Sequence, residues 1–213
     1  KARNVWSGTF HSIFARILRV EADKIGYSPN FTIYDTEDTK SVLGAIIKEM
    51  NLDKTVYNVN TIRSRISSAK SSLITPRLYA ENEELKMQDR QAKMPYISEI
   101  YLKYGERCKR AGAMDFDDLL YRLYELWQKN PEVLDKYRKR FRYLLVDEFQ
   151  DTNTLQYGII RKLVHFEGSP RNICVVGDDA QSIYAFRGAT IQNILDFEKD
   201  FNPFGIKVFK LEE

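Results

Sequence analysis

Two adjacent carboxylates, Asp147 and Glu148, stand directly after the apolar run of residues 143–146. A short apolar run that ends in polar, turn-forming residues predicts a fully buried strand of a parallel sheet. Ligands of open α/β sheets bind at the carboxyl ends of the strands, where one carboxylate can hold a divalent cation and another can take a proton. The alternative interpretation is a strand followed by an acidic turn that does no chemistry.

A second segment ends in the same way. The apolar run of residues 172–176 leads through Gly177 into Asp178 and Asp179. The loop that follows combines an amide suited to sensing a phosphate, two aromatic faces on which bases can stack, and a permanent cation: these are Gln181, Tyr184, Phe186 and Arg187. In the alternative interpretation the aromatic residues belong to the core and the arginine forms a surface ion pair. That interpretation accounts for any one of these residues, but it explains poorly why all of them occur in one loop.

The elements that must position these residues are βα units at both ends of the chain. Residues 5–10 predict a short strand, which feeds a helix with an apolar stripe over residues 11–20. His11, at this junction, could contact a phosphate or cap the helix. Beyond the second acidic strand end, the pattern predicts a helix over residues 191–197 and a last strand over residues 206–211.

The middle of the chain, residues 29–138, is predicted to be helical. Asp35 and Asp115 precede apolar periodic runs and are predicted N-caps, whereas residues 75–95 are polar, weakly periodic and predicted to form mostly loop. One of these helices carries a basic polar face that suits either a sugar-phosphate backbone or plain solvation: Arg63, Arg65 and Lys70. Alternating strands and helices outside a helical block predict an α/β fold, a partial parallel sheet that carries an inserted α-helical subdomain.

Composition narrows the class of protein without identifying it. The chain has 213 residues, 43% of them hydrophobic and 30% charged, as in an ordinary globular protein. A net charge of +3 permits nucleic-acid binding without requiring it. Cys108 and Cys174 lack metal-ligand spacing, and no signal peptide or apolar run long enough for a membrane helix is visible. These features predict two buried thiols in a reducing, cytoplasmic compartment.

Three segments in this order resemble the UvrD/Rep/PcrA-type helicases of superfamily 1. Residues 9–12 (TFHS) resemble the family's motif Ib, residues 144–153 (LLVDEFQDTN) its motif II or Walker B segment, and residues 176–189 (VGDDAQSIYAFRGA) its motif III. Residues 115–120 also resemble a recurrent family segment. The resemblance implies a partial RecA-like P-loop NTPase lobe, called 1A, formed by residues 1–28 and 139–213. Residues 29–138 would be the family's inserted helical 1B subdomain.

The resemblance also implies an activity and a role for each matching residue. The activity would be ATP-driven translocation on single-stranded DNA in the 3′-to-5′ direction, with unwinding at junctions between single and double strands. Asp147 would hold Mg²⁺ with ATP, and Glu148 would orient or deprotonate the attacking water. Gln150 and Gln181 would couple the nucleotide phosphates to the DNA side, with Gln181 also part of the catalytic set. The DNA contacts would be Thr9, His11, Tyr184, Phe186 and Arg187, with Phe186 in the place of the family's usual tryptophan.

The chain also departs from the family pattern. It contains no glycine followed by lysine, so the phosphate-binding loop G-x-x-x-x-G-K-[ST] is missing and is expected upstream of residue 1. It ends before the second RecA-like lobe. We therefore expect residues 1–213 alone to lack ATPase and unwinding activity, and the incomplete sheet to invite pairing along an exposed edge. Two alternatives stay open, namely the helicase lobe of an AddA/RecB-type helicase–nuclease and a non-catalytic DNA-binding module.

Overall fold

The computed structural model of the chain describes residues 5–178 and 192–209. The chain forms two compact units, one up to Asp135 and one from Lys136 onward. The architecture is mixed α/β, mostly helical with short parallel sheets. No helix among the described residues is long and apolar enough to cross a membrane.

The first unit contains seven complete helices and two three-residue strands among its described residues. In chain order these are α1 (Phe10–Glu21), β1 (Thr32–Tyr34), α2 (Thr36–Glu49), α3 (Val59–Ser71), α4 (Pro76–Glu81), α5 (Glu83–Gln91), α6 (Ile97–Arg110), β2 (Ala113–Asp115) and α7 (Phe116–Lys129). Helix α8 (Pro131–Arg140) begins in this unit and crosses into the second.

Two strand-to-helix junctions organise the first unit. β1 and β2 are parallel, with Tyr34 opposite Asp115, so both strands end at the same edge. Each strand leads into a helix through a reciprocal capping box: Asp35 caps α2 together with Asp38, and Asp115 caps α7 together with Asp118. The predicted N-caps Asp35 and Asp115 are thus confirmed. The apolar core lies among α2, α3, α4 and α6, and its fully buried members include Leu43, Ile46, Ile62, Ile97, Ile100 and Tyr104.

A buried ionic network joins α3 to the second junction. Lys70 Nζ lies 2.7 Å from Asp115 Oδ2 and 2.9 Å from Asp118 Oδ1, with all three side chains almost inaccessible to solvent. The hydroxyl of Tyr104 donates to Asp115 Oδ2 at 2.7 Å. The prediction of a solvated basic face on α3 is therefore wrong for Lys70, because the partners that bury it lie far away in sequence. Arg65, on the same helix, pairs with the buried Asp89 at 2.6 Å.

Several other sequence-based expectations fail in the first unit. Residues 5–9 form no strand; instead Thr9 caps α1 by accepting a hydrogen bond from the Ser12 amide. His11 lies inside α1 and does not cap it. Residues 75–95, expected to be mostly loop with at most one short helix, contain two helices, α4 and α5, each started by a capping side chain, Thr75 or Asn82. The strands β1 and β2 were not expected, because three-residue strands are too short to carry a periodic pattern.

The second unit is built around a two-stranded parallel sheet. Its described elements after α8 are β3 (Leu144–Val146), α9 (Thr154–Val164), β4 (Ile173–Val175) and α10 (Gln192–Phe201). The strands pair Leu144 with Ile173 and Val146 with Val175. α10 packs through Phe197 against Phe149, whose ring centroid lies 5.5 Å away, and through Asp200, which accepts a hydrogen bond from Tyr157 at 2.7 Å.

The sheet of the second unit differs from the expected one in two respects. Val146 is buried but Leu145 is 78% exposed, so β3 is not fully buried: one face of the sheet is left uncovered by the described residues. The thiol-bearing Cys174, opposite Leu145, is likewise exposed, contrary to the expected burial, whereas Cys108 is buried. Residues 206–209 form no strand, and residues 210–211 of that predicted strand lie outside the described residues. The division into 1A and 1B segments stays a prediction.

Candidate nucleotide and nucleic-acid site

The carboxyl end of β3 presents Asp147 and Glu148 in an exposed turn. β3 and β4 continue to bond at this end: Val176 N donates to Val146 O, and Phe149 N donates to Val176 O, both at 2.8 Å. Glu148 adopts a left-handed conformation with φ +49°, which is uncommon for a residue with a side chain. Asp147 Oδ1 accepts the Glu148 amide at 3.0 Å, which stabilises this turn.

Gln150 connects the acidic turn to the end of β4. Its Nε2 donates to Glu148 Oε2 at 2.6 Å, and its Oε1 accepts the backbone N–H of Asp178 at 3.1 Å. The side chain is 2% exposed, so its amide is held between these two partners. A Cβ at Gly177 would lie 2.8 Å from Gln150 Oε1, so any larger residue there would displace the Gln150 side chain. The structure thus joins the two acidic strand ends predicted to form one site.

A second set of contacts, made by Thr152, Asn193 and Phe149, stabilises the residues that follow the acidic turn. Thr152 is buried, and its Oγ1 donates to Phe149 O at 2.7 Å. Asn193 of α10, also buried, donates through Nδ2 to Thr152 O at 2.6 Å. The Phe149 and Tyr157 rings pack edge to face, with centroids 5.9 Å apart. Asn193 was not foreseen from the sequence, because nothing local relates it to residues some forty positions earlier.

The carboxylates at the end of β3 could bind Mg²⁺ only together with other ligands. Among the described residues, no group of three or more His, Cys, Asp or Glu side chains could enclose a metal ion. Mg²⁺ usually keeps several waters and takes one or two carboxylates together with substrate phosphates. Asp147 is exposed, and its Oδ1 accepts the hydrogen bond of the turn. A single exposed carboxylate at a strand end therefore fits this coordination pattern.

The first unit carries the other predicted DNA contacts, Thr9 and His11. Thr9 is exposed, and its side chain caps α1, while Ser12 Oγ donates back to Thr9 O at 2.8 Å. The His11 and Phe116 rings lie nearly perpendicular to each other, with centroids 5.6 Å apart. Phe116 opens α7 and is 49% exposed, so it adds an aromatic face beside the histidine.

Phe116 was not among the predicted site residues, although one feature of its position sets it apart. It lies immediately after the N-cap Asp115 and outside the core stripe of α7, whose buried members include Leu119, Leu123 and Trp127. An aromatic residue outside the apolar stripe has no core to fill. The remaining predicted site residues, Gln181, Tyr184, Phe186 and Arg187, lie outside the described residues.

Comparisons with known proteins found a matching family and several relatives. The family model described as the UvrD/REP helicase N-terminal domain matches residues 1–202. An ATP-dependent DNA helicase PcrA from Leuconostoc citreum is 42% identical over 200 residues, which are 94% of this chain and 26% of that protein. The proteins of the same name from Bacillus subtilis (strain 168) and Staphylococcus aureus (strain Mu50 / ATCC 700699) are 42% and 41% identical, with the same coverage. The chain thus spans about a quarter of the length of these relatives.

Proposed function

Because the chain belongs to the UvrD/REP helicase family, we propose that the complete protein is an ATP-dependent DNA helicase. It would move along single-stranded DNA in the 3′-to-5′ direction and unwind duplexes at single-strand junctions. The chain itself would supply part of the first RecA-like lobe, residues 1–28 and 139–213, and the inserted 1B subdomain, residues 29–138. The relatives named PcrA support this assignment over a quarter of their length only.

The observation that carries the proposal is the bridge from Glu148 through Gln150 to Asp178. A general base must present its carboxylate in a fixed direction, and a buried amide that donates to it at 2.6 Å provides that direction. Glu148 would accept the proton of the attacking water, and Gln150 would hold its carboxylate while contacting the segment that leads to Gln181. Gln181 would complete the catalytic and nucleotide-contacting set.

Asp147 would hold Mg²⁺, and the complete protein would bind ATP through a phosphate-binding loop outside residues 1–213. When bound, Mg²⁺ neutralises charge on the transferred phosphoryl group. The residues of this chain would orient the water, hold its proton and keep the acidic turn in place. Because that loop is absent from the chain, we expect residues 1–213 alone to hydrolyse no ATP.

Single-stranded DNA would contact Thr9, His11, Tyr184, Phe186 and Arg187. The aromatic pair of His11 and Phe116 supports this for the first unit, because a base can stack on an exposed ring. We also expect the isolated chain to associate along its sheet edge, because a strand without a neighbour leaves backbone N–H and C=O groups unpaired.

The test is DNA-stimulated ATP hydrolysis by the complete protein and by its Glu148→Gln variant. We expect the variant to lose at least about 100-fold in kcat, as for removal of a general base, while Mg²⁺-ATP still binds. Glu167→Gln, an exposed change in the same unit, is the matched control and should keep full activity. If the unsubstituted complete protein binds DNA but hydrolyses no ATP, the function is that of a non-catalytic DNA-binding module.

A further inference from the structure

The amino end of the β3–β4 sheet is basic, in contrast to its acidic carboxyl end. Arg142 lies just before β3 and Arg171 just before β4, and the parallel register of Leu144 with Ile173 brings both to one edge. Asn172 Nδ2 donates to Arg142 O at 3.0 Å, which ties the two entry segments together. Arg142 and Asp147 are five positions apart along the strand segment, about 17 Å at the usual strand rise, so this edge is distinct from the nucleotide site.

A cleft at this edge is lined by three arginines, Arg138, Arg142 and Arg171, and by neutral residues. No described acidic residue lines it; the other lining residues are Phe141, Leu163, Val164, Phe166, Ser169, Pro170 and Asn172. The whole chain has nearly equal numbers of acidic and basic residues, 30 and 33, whereas the charged residues that line this cleft are all basic. The cleft therefore has the electrostatics of an anion site.

Two of the three guanidinium groups are held in place before any ligand arrives. Arg171 Cζ lies 3.6 Å from the Phe204 ring centroid, and its Nη1 donates to Ser169 O at 3.3 Å. Arg138 Cζ lies 4.1 Å from the Phe166 ring centroid, and its Nε donates to Lys162 O at 2.9 Å. A guanidinium fixed by an aromatic face and one hydrogen bond loses little further freedom when it binds an oxyanion.

Arg171 retains one donor without a partner. Its Nε is buried and has no hydrogen-bond partner, although a buried donor normally has one. Its backbone is left-handed, with φ +51°, and is held there because its N–H donates to Ser169 Oγ at 3.1 Å. Burial lowers the pKa of the neighbouring Lys162, and the charge of Arg138 lowers it further.

We propose that this cleft binds a phosphate of the nucleic-acid backbone, as a second DNA contact on the side of the sheet opposite Asp147. Arginine forks match phosphate oxygens, and the rim of the cleft suits a nucleic acid. Lys139 is exposed nearby in sequence, and Tyr143 offers an aromatic face that is 73% exposed. The inference rests on the proposed function for its choice of DNA, but it concerns residues that take no part in ATP hydrolysis.

The experiment measures binding of a fluorescent single-stranded oligonucleotide to the 213-residue chain by anisotropy over a series of salt concentrations. Arg142→Glu, an exposed change, should weaken binding about tenfold and make the plot of log K against log salt shallower by about 0.7, the value for one lost phosphate contact on a single strand. Lys199→Glu, an exposed reversal on α10 with the same change in net charge, is the matched control and should change affinity less than about threefold.

Arg171→Lys tests the geometry of the cleft at constant charge. It should weaken binding too, because lysine lacks the planar fork and the stacking on Phe204. Inorganic phosphate and a poly-glutamate peptide, each added as a competitor, separate the possible sources of the anion. Equal weakening by Arg142→Glu and Lys199→Glu, or an Arg142-dependent affinity for poly-glutamate with none for DNA, would overturn the proposal. Loss of ATPase in the complete protein with this Arg142 dependence intact would overturn only the proposed enzymatic function.

Discussion

Replacement of Lys70 by methionine should destabilise the first unit more than any exposed lysine change. The methionine side chain has nearly the length of lysine, so the main loss is the ammonium group. Its removal leaves Asp115 and Asp118, which are 6% and 3% exposed, without their shared cation. Removing one partner of a buried ion pair costs about 3–5 kcal/mol.

The structure places the expected cost near the lower end of that range. Asp115 keeps hydrogen bonds from the Tyr104 hydroxyl at 2.7 Å and the Asp118 amide at 2.8 Å. Asp118 keeps the Asp115 amide at 3.2 Å and lies 3.9 Å from Arg122 Nε. With these donors retained, we expect a loss of about 3 kcal/mol, which for an m-value of about 2 kcal/mol/M shifts the urea midpoint by about 1.5 M.

The loss should depend on pH in a defined direction. Although burial opposes the charge of Lys70, Asp115 and Asp118 raise its pKa above the ordinary value of 10.5. The stabilisation that this raised pKa provides is complete at any pH below the pKa of Lys70 in the unfolded chain. It is lost only when the pH rises through the pKa of Lys70 in the folded protein, so it is intact near neutral pH. In the variant, burial and mutual repulsion raise the pKa of the two carboxylates. Protonation removes the buried negative charge, so the difference in unfolding free energy between the variant and the parent should narrow as pH falls from 7 toward 4.5.

Tryptophan fluorescence during urea unfolding provides the assay, because both tryptophans, Trp6 and Trp127, belong to the first unit. Lys48→Met, at an exposed position in the last turn of α2, is the control and should stay within about 0.5 kcal/mol of the parent. Adding Asp115→Asn and Asp118→Asn to Lys70→Met should recover much of the loss, since asparagine also caps helices. A loss below about 1 kcal/mol, or a gap independent of pH, would refute the reasoning.

Two further predictions concern the proposed function of the complete protein. Gly177→Ala should lower kcat for ATP hydrolysis about tenfold with little change in KM, because the new Cβ, 2.8 Å from Gln150 Oε1, displaces the amide that orients Glu148. Gly44→Ala, whose Cβ would meet nothing closer than 4.0 Å, is the control in the same steady-state assay. Equal kcat values for the two variants would contradict the role of Gln150. Phe116→Ala should weaken single-stranded DNA binding about tenfold in an anisotropy titration through loss of one stacking face, whereas Phe116→Tyr should bind like the parent; unchanged affinity in the alanine variant would exclude Phe116 from the DNA surface.

The parts of the fold set by local chemistry could be predicted from the sequence. Asp35 and Asp115 were identifiable as caps because each bonds to its own helix three residues on. The strands β3 and β4 were identifiable because each apolar run ends in acidic residues. Family membership agrees with the resemblance carried by the three motifs, although the individual roles of the motif residues stay predictions.

The parts that depend on distant partners could not be predicted. Residues 5–9 have the β-branched and aromatic content of a strand, but a strand needs a neighbour, and the Thr9 cap decides the local structure instead. Lys70 carries no local sign of its burial, because its acids lie on another helix junction. The contact of Gln150 with Asp178 N likewise joins two strand ends and has no signature in either segment.

The pairing of β1 with β2 has a consequence for the folding rate of the first unit. All of α2 to α6 lie between these two strands in the sequence, so their three paired residues close a long loop. Closing such a loop lowers the conformational entropy of the chain before the strand contacts can compensate for it. Non-local pairings of this kind therefore slow folding. Neighbouring helices such as α2 with α3 and α4 with α5 can pack through contacts close in sequence, and we expect the short sheet to form late. The buried Lys70 network, anchored at the end of β2, would then be completed in the final step and would act mainly on the unfolding rate.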